Sequence, residues 1–564
     1  MPLPPMTPEA QDAYEKALER IEACRRQGRL GTGLNLSNLG LTLVPPEIGQ
    51  LSALKELRLF SNQLTGLPSE IGQLSTLTVL DLEDNQLTSL PPEIGQLSAL
   101  TGLSLSNNHL TNLPPEIGLL AALTELSLDS NQLTSLPPEI GQLSALKQLD
   151  LYTNQLTSLP PEIGQLSALT VLNLSENPLT SLPLEIVQLY ALTVLWLHNI
   201  QLTSLPPEIV QLSALTKLSL SDNRLTILPS EIGDLKRLEF LILEGNALGG
   251  LPESLKGLTL LKMLTLHGNE TLGLPVEVLG PTWANSGVKN PPADPQAILD
   301  YYFRARVAGG PLNEVKVILV GRGGAGKTSL VKRLVKNVFD EHEKETPGIC
   351  ITDWSLRCGS DEMKLHLWDF AGQEITHGTH QFFFSQRSVY LLLLTGREGN
   401  AERDADYWLR LIRAFGSESP VLVVLNKIEQ SPFELDEPAI QRDHPSVRSF
   451  HPFDCKSGHG RTELLAALKK TIQGMDSVHK TFPAEWMKVK NRLSGMTENY
   501  LDQKQYRSIC AENGEKDSAA QDSLAGHLHH LGIALNYADD PRVRHALVLN
   551  PGWVTDGIYK LIRG

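Results

Sequence analysis

The first half of the chain repeats one arrangement of apolar and polar positions. From about Leu34 to Leu279 the pattern LxxLxLxxNxLtxLPxeIgxL returns every 23 residues. Within each period the LxL pair, such as Leu57 and Leu59, reads as a short strand that turns two leucines to one side. The leucines and isoleucine of the following LPxeIgxL segment close an apolar core behind that strand. One such unit cannot bury its own apolar face, so the period predicts a stack of eleven turns. The polar rung falls at Asn62, Asn85, Asn108, Asn131, Asn154, Asn177, Asn223, Asn246 and Asn269, with Leu39 and Ile200 on two further rungs. A buried asparagine there is expected to bond backbone groups of adjacent turns. Leu39 falls in the terminal turn, and Ile200 is a local weakness of the ladder.

This is a leucine-rich repeat array, an α/β solenoid. Outward strand positions line its concave side, and one column reads Arg58, Asp81, Ser104, Ser127, Asp150, Asn173, Trp196, Ser219, Ile242, Thr265. Most of it is small and polar. Trp196 with Tyr152 and His198 forms the aromatic patch to test for a protein partner; an unused concave face is the equal alternative. Ahead of the array, Pro8–Gln27 reads as an amphipathic helix (Ala13, Ala17, Leu18, Ile21, Cys24) that caps the first turn. After it, Gly280–Pro295 breaks the period with proline and glycine and reads as a linker, followed by a short helix near Gln296–Val307.

A different pattern begins at Glu314. The run EVKVILV (Glu314–Val320) reads as a buried strand, and GRGGAGKT follows at once and leads into a helical segment, Thr328–Lys336. GRGGAG also satisfies the GxGxxG of dinucleotide-binding folds, but that fingerprint does not call for Lys327 and Thr328. In the GxxxxGK[ST] reading, Gly321, Gly324 and Gly326 let backbone N–H groups converge on phosphate. Lys327 reaches the β/γ-oxygens, Thr328 ligates Mg²⁺, and Ser329 belongs to the same phosphate-binding turn.

The next strand, MKLHLW (Met363–Trp368), ends in Asp369, placed to hold Mg²⁺. Gly372 is expected to offer its N–H to a γ-phosphate, and Gln373 to orient the attacking water. Thr346, in TPGI, is the expected switch threonine over Mg²⁺ and γ-phosphate. Base selection is expected from Asn426-Lys427-Ile428-Glu429 at the end of the strand Val421–Leu425. This is close to NKxD, whose carboxylate accepts the N1–H and exocyclic amine of guanine, a donor pair that adenine lacks. Glu429 stands where aspartate is usual. After the strand Val447–Phe453, Asp454-Cys455-Lys456 resembles the [SC]-[AC]-K loop that touches the guanine ring, so Cys455 reads as a backbone contact. The histidines His377, His380, His527, His529 and His530 have no metal-ligand spacing, and Arg387 and Arg397 are the arginines left as finger candidates.

Composition narrows the field. Apolar residues make up 41% and charged residues 20% of 564, ordinary for a multidomain globular chain. Five scattered cysteines suggest neither disulfides nor zinc, and the net charge of −15 disfavours nucleic acid and anionic membranes. No apolar run is long enough to span a bilayer and the N-terminus lacks a signal-peptide layout, so a cytoplasmic protein is expected.

Taken together, the chain resembles the Roco family: leucine-rich repeats, a Ras-like α/β P-loop GTPase domain called Roc, and a COR domain. The resemblance is carried by TPGICITDW (Thr346–Trp354), WDFAGQEITHGTHQFFFS (Trp368–Ser385), FPAEWMKVKNRL (Phe482–Leu493), LHHLGIALNY (Leu528–Tyr537) and LVLNPGWVTDGIY (Leu547–Tyr559). It implies a bacterial or archaeal member cut within COR, whose mostly α, winged-helix-like first half is present. The family's dimerisation surface lies in the second half. The expected divisions are a helical cap at 1–30, repeats at 31–279, a linker at 280–312, Roc at 313–476 and COR at 477–564. The implied function is a slow, Mg²⁺-dependent GTPase switch whose GTP/GDP state couples to COR and to a partner on the repeats. No kinase signature is present. The alternative is a repeat-based recognition scaffold whose nucleotide domain binds but hardly hydrolyses.

Overall fold

The computed structural model describes residues 7–288, 290–343, 348–359, 361–370, 383–396, 401–475, 481–537, 546–555 and 557. The chain divides into two compact units, Met1–Leu272 with Leu279–Leu299, and Gly273–Val278 with Asp300–Gly564.

In the first unit, eleven three-residue strands, from Gly33–Asn35 (β1) to Met263–Thr265 (β11), form one parallel sheet in sequence order. The register is the repeat period itself: Leu34 lies beside Leu57, Leu57 beside Leu80, and so on to Leu241 beside Leu264. Behind the strands lie tight helical turns such as Pro138–Gln142, whose isoleucine is completely buried. The leading proline of this turn occupies a position whose N–H the turn does not need. All nine ladder asparagines are buried. Asn131 is typical: Nδ2 donates to the carbonyls of Leu105 (2.9 Å) and Leu128 (3.1 Å), and Oδ1 accepts from Leu110 N–H (3.0 Å). At the two exceptional rungs the backbone N–H groups of Leu39 and Ile200 still reach the asparagine of the next turn, Asn62 at 3.0 Å and Asn223 at 3.2 Å.

The residue before each rung has a left-handed backbone. φ lies between 51° and 57° at Asn38, Ser61, Asp84, Asn107, Ser130, Thr153, Glu176, Asn199 and Asp222, and Gly245 and Gly268 continue the series. The apolar pattern gives no sign of this.

Helix α1 (Pro8–Arg26) starts at Thr7, whose hydroxyl accepts from Ala10 N–H at 3.3 Å, and it buries Ala13, Ala17, Ile21 and Cys24 against the first turn of the array. The segment read as a linker does more than connect. Its turn Trp283–Asn285 folds onto the strand face, with the Trp283 ring 6.1 Å from Trp196 and 6.2 Å from Phe240, and the backbone N–H of Trp283 donates to Glu244 Oε1 at 2.7 Å. The expected aromatic patch is thereby divided: Trp196 packs on the chain's own Trp283, while Tyr152 and His198 pair at 5.7 Å.

The second unit takes in all but the last residue of the short helix Val276–Leu279 (α2). It resumes at Asp300 within the helix Pro295–Ala308 (α3) and runs through the strand Gly310–Pro311 (β12) into a six-stranded sheet. That sheet comprises β13 (Glu314–Val320), β14 (Ile349–Cys358), β15 (Asp361–Phe370), β16 (Val389–Leu394), β17 (Val421–Asn426) and β18 (Val447–Phe453). Their order is β14-β15-β13-β16-β17-β18, with β14 antiparallel to β15 and the remaining pairs parallel. Helices α4 (Lys327–Lys336), α5 (Ala401–Gly416), α6 (Glu437–Asp443) and α7 (Arg461–Gln473) alternate with the strands. Because both faces are covered, β13 buries Val315, Val317 and Leu319 in one core and Ile318 and Val320 in the other.

The same strand buries Lys316, which the sequence reading passed over. Its Nζ donates to Phe383 O (2.7 Å) and Ser385 Oγ (3.1 Å) and lies 4.1 Å from the centre of the Trp368 ring, and burial pushes the ammonium down to about 7.

Beyond α7, the strand Thr481–Phe482 (β19) pairs with β12. Helices α8 (Ala484–Ser494), α9 (Gln503–Glu512) and α10 (Ser518–Leu531) then accompany an antiparallel sheet of Tyr500–Asp502 (β20), Leu535–Asn536 (β21) and Ala546–Val548 (β22). The expected winged-helix-like, mostly helical part has this form. Trp486 is fully buried, and its indole N–H and Arg304 both reach Glu515 Oε2, at 2.8 and 2.9 Å. His527 and His530 lie on α10 as read, 3.1 and 3.4 Å from the carboxylate of Glu277. Arg387 pairs with that same carboxylate, so this finger candidate is already engaged by an acidic partner. Arg397, His377 and His380 lie outside the described residues.

Candidate nucleotide-binding site

In the six-stranded sheet the chain passes from β13 outward to β15 on one side and to β16, β17 and β18 on the other. Such a reversal of strand order leaves a crevice at the carboxyl ends of the strands, where open α/β sheets bind ligands. The glycine-rich loop follows β13 into this crevice. Gly321 has φ 144°, and a Cβ there would come within 2.5 Å of the Leu393 carbonyl. Gly326 has φ 94°, and a Cβ would run into the Asn426 amide. Both positions therefore require glycine for reasons internal to the fold as well as for approach to a phosphate.

Lys327 is buried, with Nζ donating to the carbonyls of Gly321 (2.8 Å) and Arg322 (3.0 Å). Burial pushes it down to about 8, with Asp369 opposing the shift. Thr328 Oγ1 donates to Asp369 Oδ2 at 2.6 Å, which brings both expected metal ligands of the described residues together. This pair of hard oxygens suits Mg²⁺, which takes few protein ligands and keeps water. Ser329 lies half-buried in the first turn of α4 beside them. Gly324 receives Lys427 Nζ on its carbonyl at 2.7 Å.

Asn426 is completely buried and bridges two loops: Nδ2 donates to Ala325 O at 2.8 Å and Oδ1 accepts from Cys455 N–H at 3.2 Å. Burial pushes the Cys455 thiol up to about 12, so it stays protonated and contributes through its backbone. Asp454 Oδ1 accepts the N–H groups of Lys456 (2.8 Å) and Ser457 (3.0 Å), shaping the turn, while Lys456 Nζ pairs with Glu341 at 2.8 Å. Glu429 Oε1 accepts from Ser457 Oγ at 3.1 Å. The structure thus brings Lys327, Thr328, Asp369, Asn426, Lys427, Cys455 and the Glu429 loop to one end of one sheet. Thr346, Gly372 and Gln373 lie outside the described residues.

Two residues of this region were missed by the sequence reading. Arg333 on α4 donates from Nε and Nη2 to Cys455 O (2.9 and 2.7 Å) and from Nη2 to Lys456 O (2.8 Å), clamping the β18 loop onto the helix that follows the phosphate loop. Ser457 is the other. Neither belongs to a motif, and only α4 being a helix that faces β18 would have singled out Arg333.

Residues 316–429 match the family model described as Ras of Complex, Roc, domain of DAPkinase, and residues 483–564 match the COR-A domain, C-terminal of Roc. Leucine-rich repeat models match 43–135, 121–188 and 190–248. The chain belongs to the Roco family. Its Roc part is a Ras-like GTPase domain, and the matches follow the Roco order of repeats, Roc and COR.

Among the relatives of this Roco chain, a Roc-COR-CHAT protease of Runella zeae is 28% identical over 276 residues, 44% of this chain and 30% of that protein. A probable serine/threonine-protein kinase, pats1, of Dictyostelium discoideum is 27% identical over 287 residues, 44% of this chain and 9% of that protein. The chain thus spans less than a third of either relative. A solved structure of Methanosarcina barkeri Roco2 RocCORdC bound to GDP is 42% identical, with 45% of this chain and 78% of that chain covered and a TM-score of 0.43. Among the described residues no helix is long and apolar enough to cross a membrane.

Proposed function

We propose that this Roco chain is a guanine-nucleotide switch that hydrolyses GTP slowly, its Roc part spanning 313–476 and its nucleotide state coupled to COR and to a cytoplasmic partner on the repeats. The observation that carries the reading is the bridge made by Asn426, which ties the glycine-rich loop at Ala325 to the Cys455 loop, the two loops that this reading assigns to phosphate and base. In this reading Lys327 leaves its two loop carbonyls for the β/γ-oxygens, and the nearby phosphate charge holds it protonated. Backbone N–H groups of the glycine loop and the N-terminus of α4 take up negative charge. Glu429 accepts the guanine donors. Thr328, Asp369 and Thr346 would hold Mg²⁺, which neutralises charge on the phosphates when bound. Gln373 orients the attacking water, and Gly372 senses the γ-phosphate.

Calorimetric titration tests the reading. Lys327→Ala is expected to abolish GDP and GTP binding, and unchanged affinity would sink the proposal. Turnover separates switch from scaffold. Intrinsic rates of such domains are about 10⁻⁴ to 10⁻² per second, and phosphate release at that rate should vanish in Gln373→Leu. Tight GDP binding without any release would favour the recognition scaffold.

A further inference from the structure

The carboxylate that reads the base is one methylene longer in this chain than its motif calls for. Glu429 therefore has one more rotatable bond to order before both oxygens can face a guanine edge, and ordering a free glutamate opposes binding. The structure holds a device that supplies this order. Ser457, on the loop after β18, donates its hydroxyl proton to Glu429 Oε1 at 3.1 Å, across to the loop after β17. A hydroxyl has one proton and two lone pairs. One lone pair accepts His459 N–H at 3.3 Å, which leaves the proton for the carboxylate.

The serine is itself held firmly. Its own N–H is fixed by Asp454 Oδ1 at 3.0 Å, and the carbonyls of the two preceding residues, Cys455 and Lys456, are gripped by Arg333. Lys456, the charged neighbour on the same loop, is spent on Glu341 rather than on Glu429. A carboxylate oxygen that accepts one charge-assisted bond still has a lone pair left, and the second oxygen remains open for the base.

We propose that Ser457 is a positioning residue for guanine selection: its hydroxyl sets the reach of the longer Glu429 so that the carboxylate meets N1–H and the exocyclic amine together. The inference rests on the guanine-nucleotide reading above.

The test is calorimetric titration of the full chain with GDP and with inosine diphosphate, which lacks the exocyclic amine. Ser457→Ala is expected to weaken GDP about tenfold, the scale of one hydrogen bond to a charged group. It should also shrink the preference for GDP over inosine diphosphate, and Ser457→Thr, which keeps the hydroxyl, should restore both. In a Glu429→Asp background the shorter carboxylate draws away from Ser457, so adding Ser457→Ala there should cost less than about twofold. Equal cost in both backgrounds, or a Ser457→Ala chain with wild-type GDP affinity and base preference, overturns the proposal alone. A wild-type chain that binds no GDP, or binds ADP as well as GDP, removes the nucleotide reading and this inference with it.

Discussion

Asn131 in the repeat array and Asn426 in the nucleotide site are the same buried side chain with the same task, satisfying backbone groups that water cannot reach. Asn131 bonds Leu105, Leu110 and Leu128, all in its own or the preceding turn. Asn426 joins Ala325 and Cys455, which lie on loops far apart in the sequence, one after β13 and one after β18. In the array the bond set is repeated nine times, so each copy carries a share of the stack's stability. In the site there is one copy, and both loops that would touch a nucleotide hang on it. Repetition makes a structural part visible and individually replaceable; singularity makes a functional part easy to overlook and costly to lose.

Three substitutions sharpen or break this contrast. The largest effect is expected from Asn426→Ala, which frees both loops: GDP affinity should fall roughly 100-fold or more in calorimetry, the consequence of two buried backbone groups left unpaired. The unfolding of the array should be unchanged. A loss of less than about tenfold would mean that the loops hold their places without the bridge. Next, Asn131→Ala leaves two carbonyls and one N–H buried without this partner. It is expected to cost about 2–4 kcal/mol in urea unfolding with GDP affinity intact, and a cost below about 1 kcal/mol would show the ladder to be decorative. The smallest change is expected from Ile200→Asn, which completes the ladder at a fully buried position. Lost apolar burial and gained hydrogen bonds are each about 2–3 kcal/mol, so stability should move by less than about 1 kcal/mol; a drop beyond about 3 kcal/mol would show that this turn has repacked around isoleucine.

The same distinction explains what could be read in advance. Eleven turns were legible because burial in each repeats the burial in the last, and the phosphate loop was legible because phosphate chemistry restricts Gly321, Gly326, Lys327 and Thr328 so tightly. Arg333, Ser457 and Lys316 were not, since each acts on a carbonyl, carboxylate or ring brought near only by the fold. Trp283 escaped for a related reason. A proline- and glycine-rich stretch advertises a break in periodicity, and nothing in that composition says that one tryptophan will return to Trp196 and Phe240. The full span of β14 and β15 was also hidden, because their outer ends carry exposed polar residues such as Arg357 and Glu362 that pair through backbone alone.

The left-handed residue ahead of each rung bears on how such an array drifts. A non-glycine residue pays about 1–2 kcal/mol for that backbone, yet Thr153 and Glu176, which have no liking for it, sit there as readily as Asn38 or Asp84. The turn recurs at Asn38 and Asn199, where the following rung is Leu39 or Ile200, and the residue's own N–H reaches the next turn in both settings, Thr153 to Ser175 O and Asn199 to Ser221 O, each at 3.0 Å, so the stacked backbone holds this conformation. Every turn therefore sets side by side a position whose side chain varies among asparagine, serine, aspartate, threonine, glutamate and glycine, and a rung that is asparagine in nine of eleven turns.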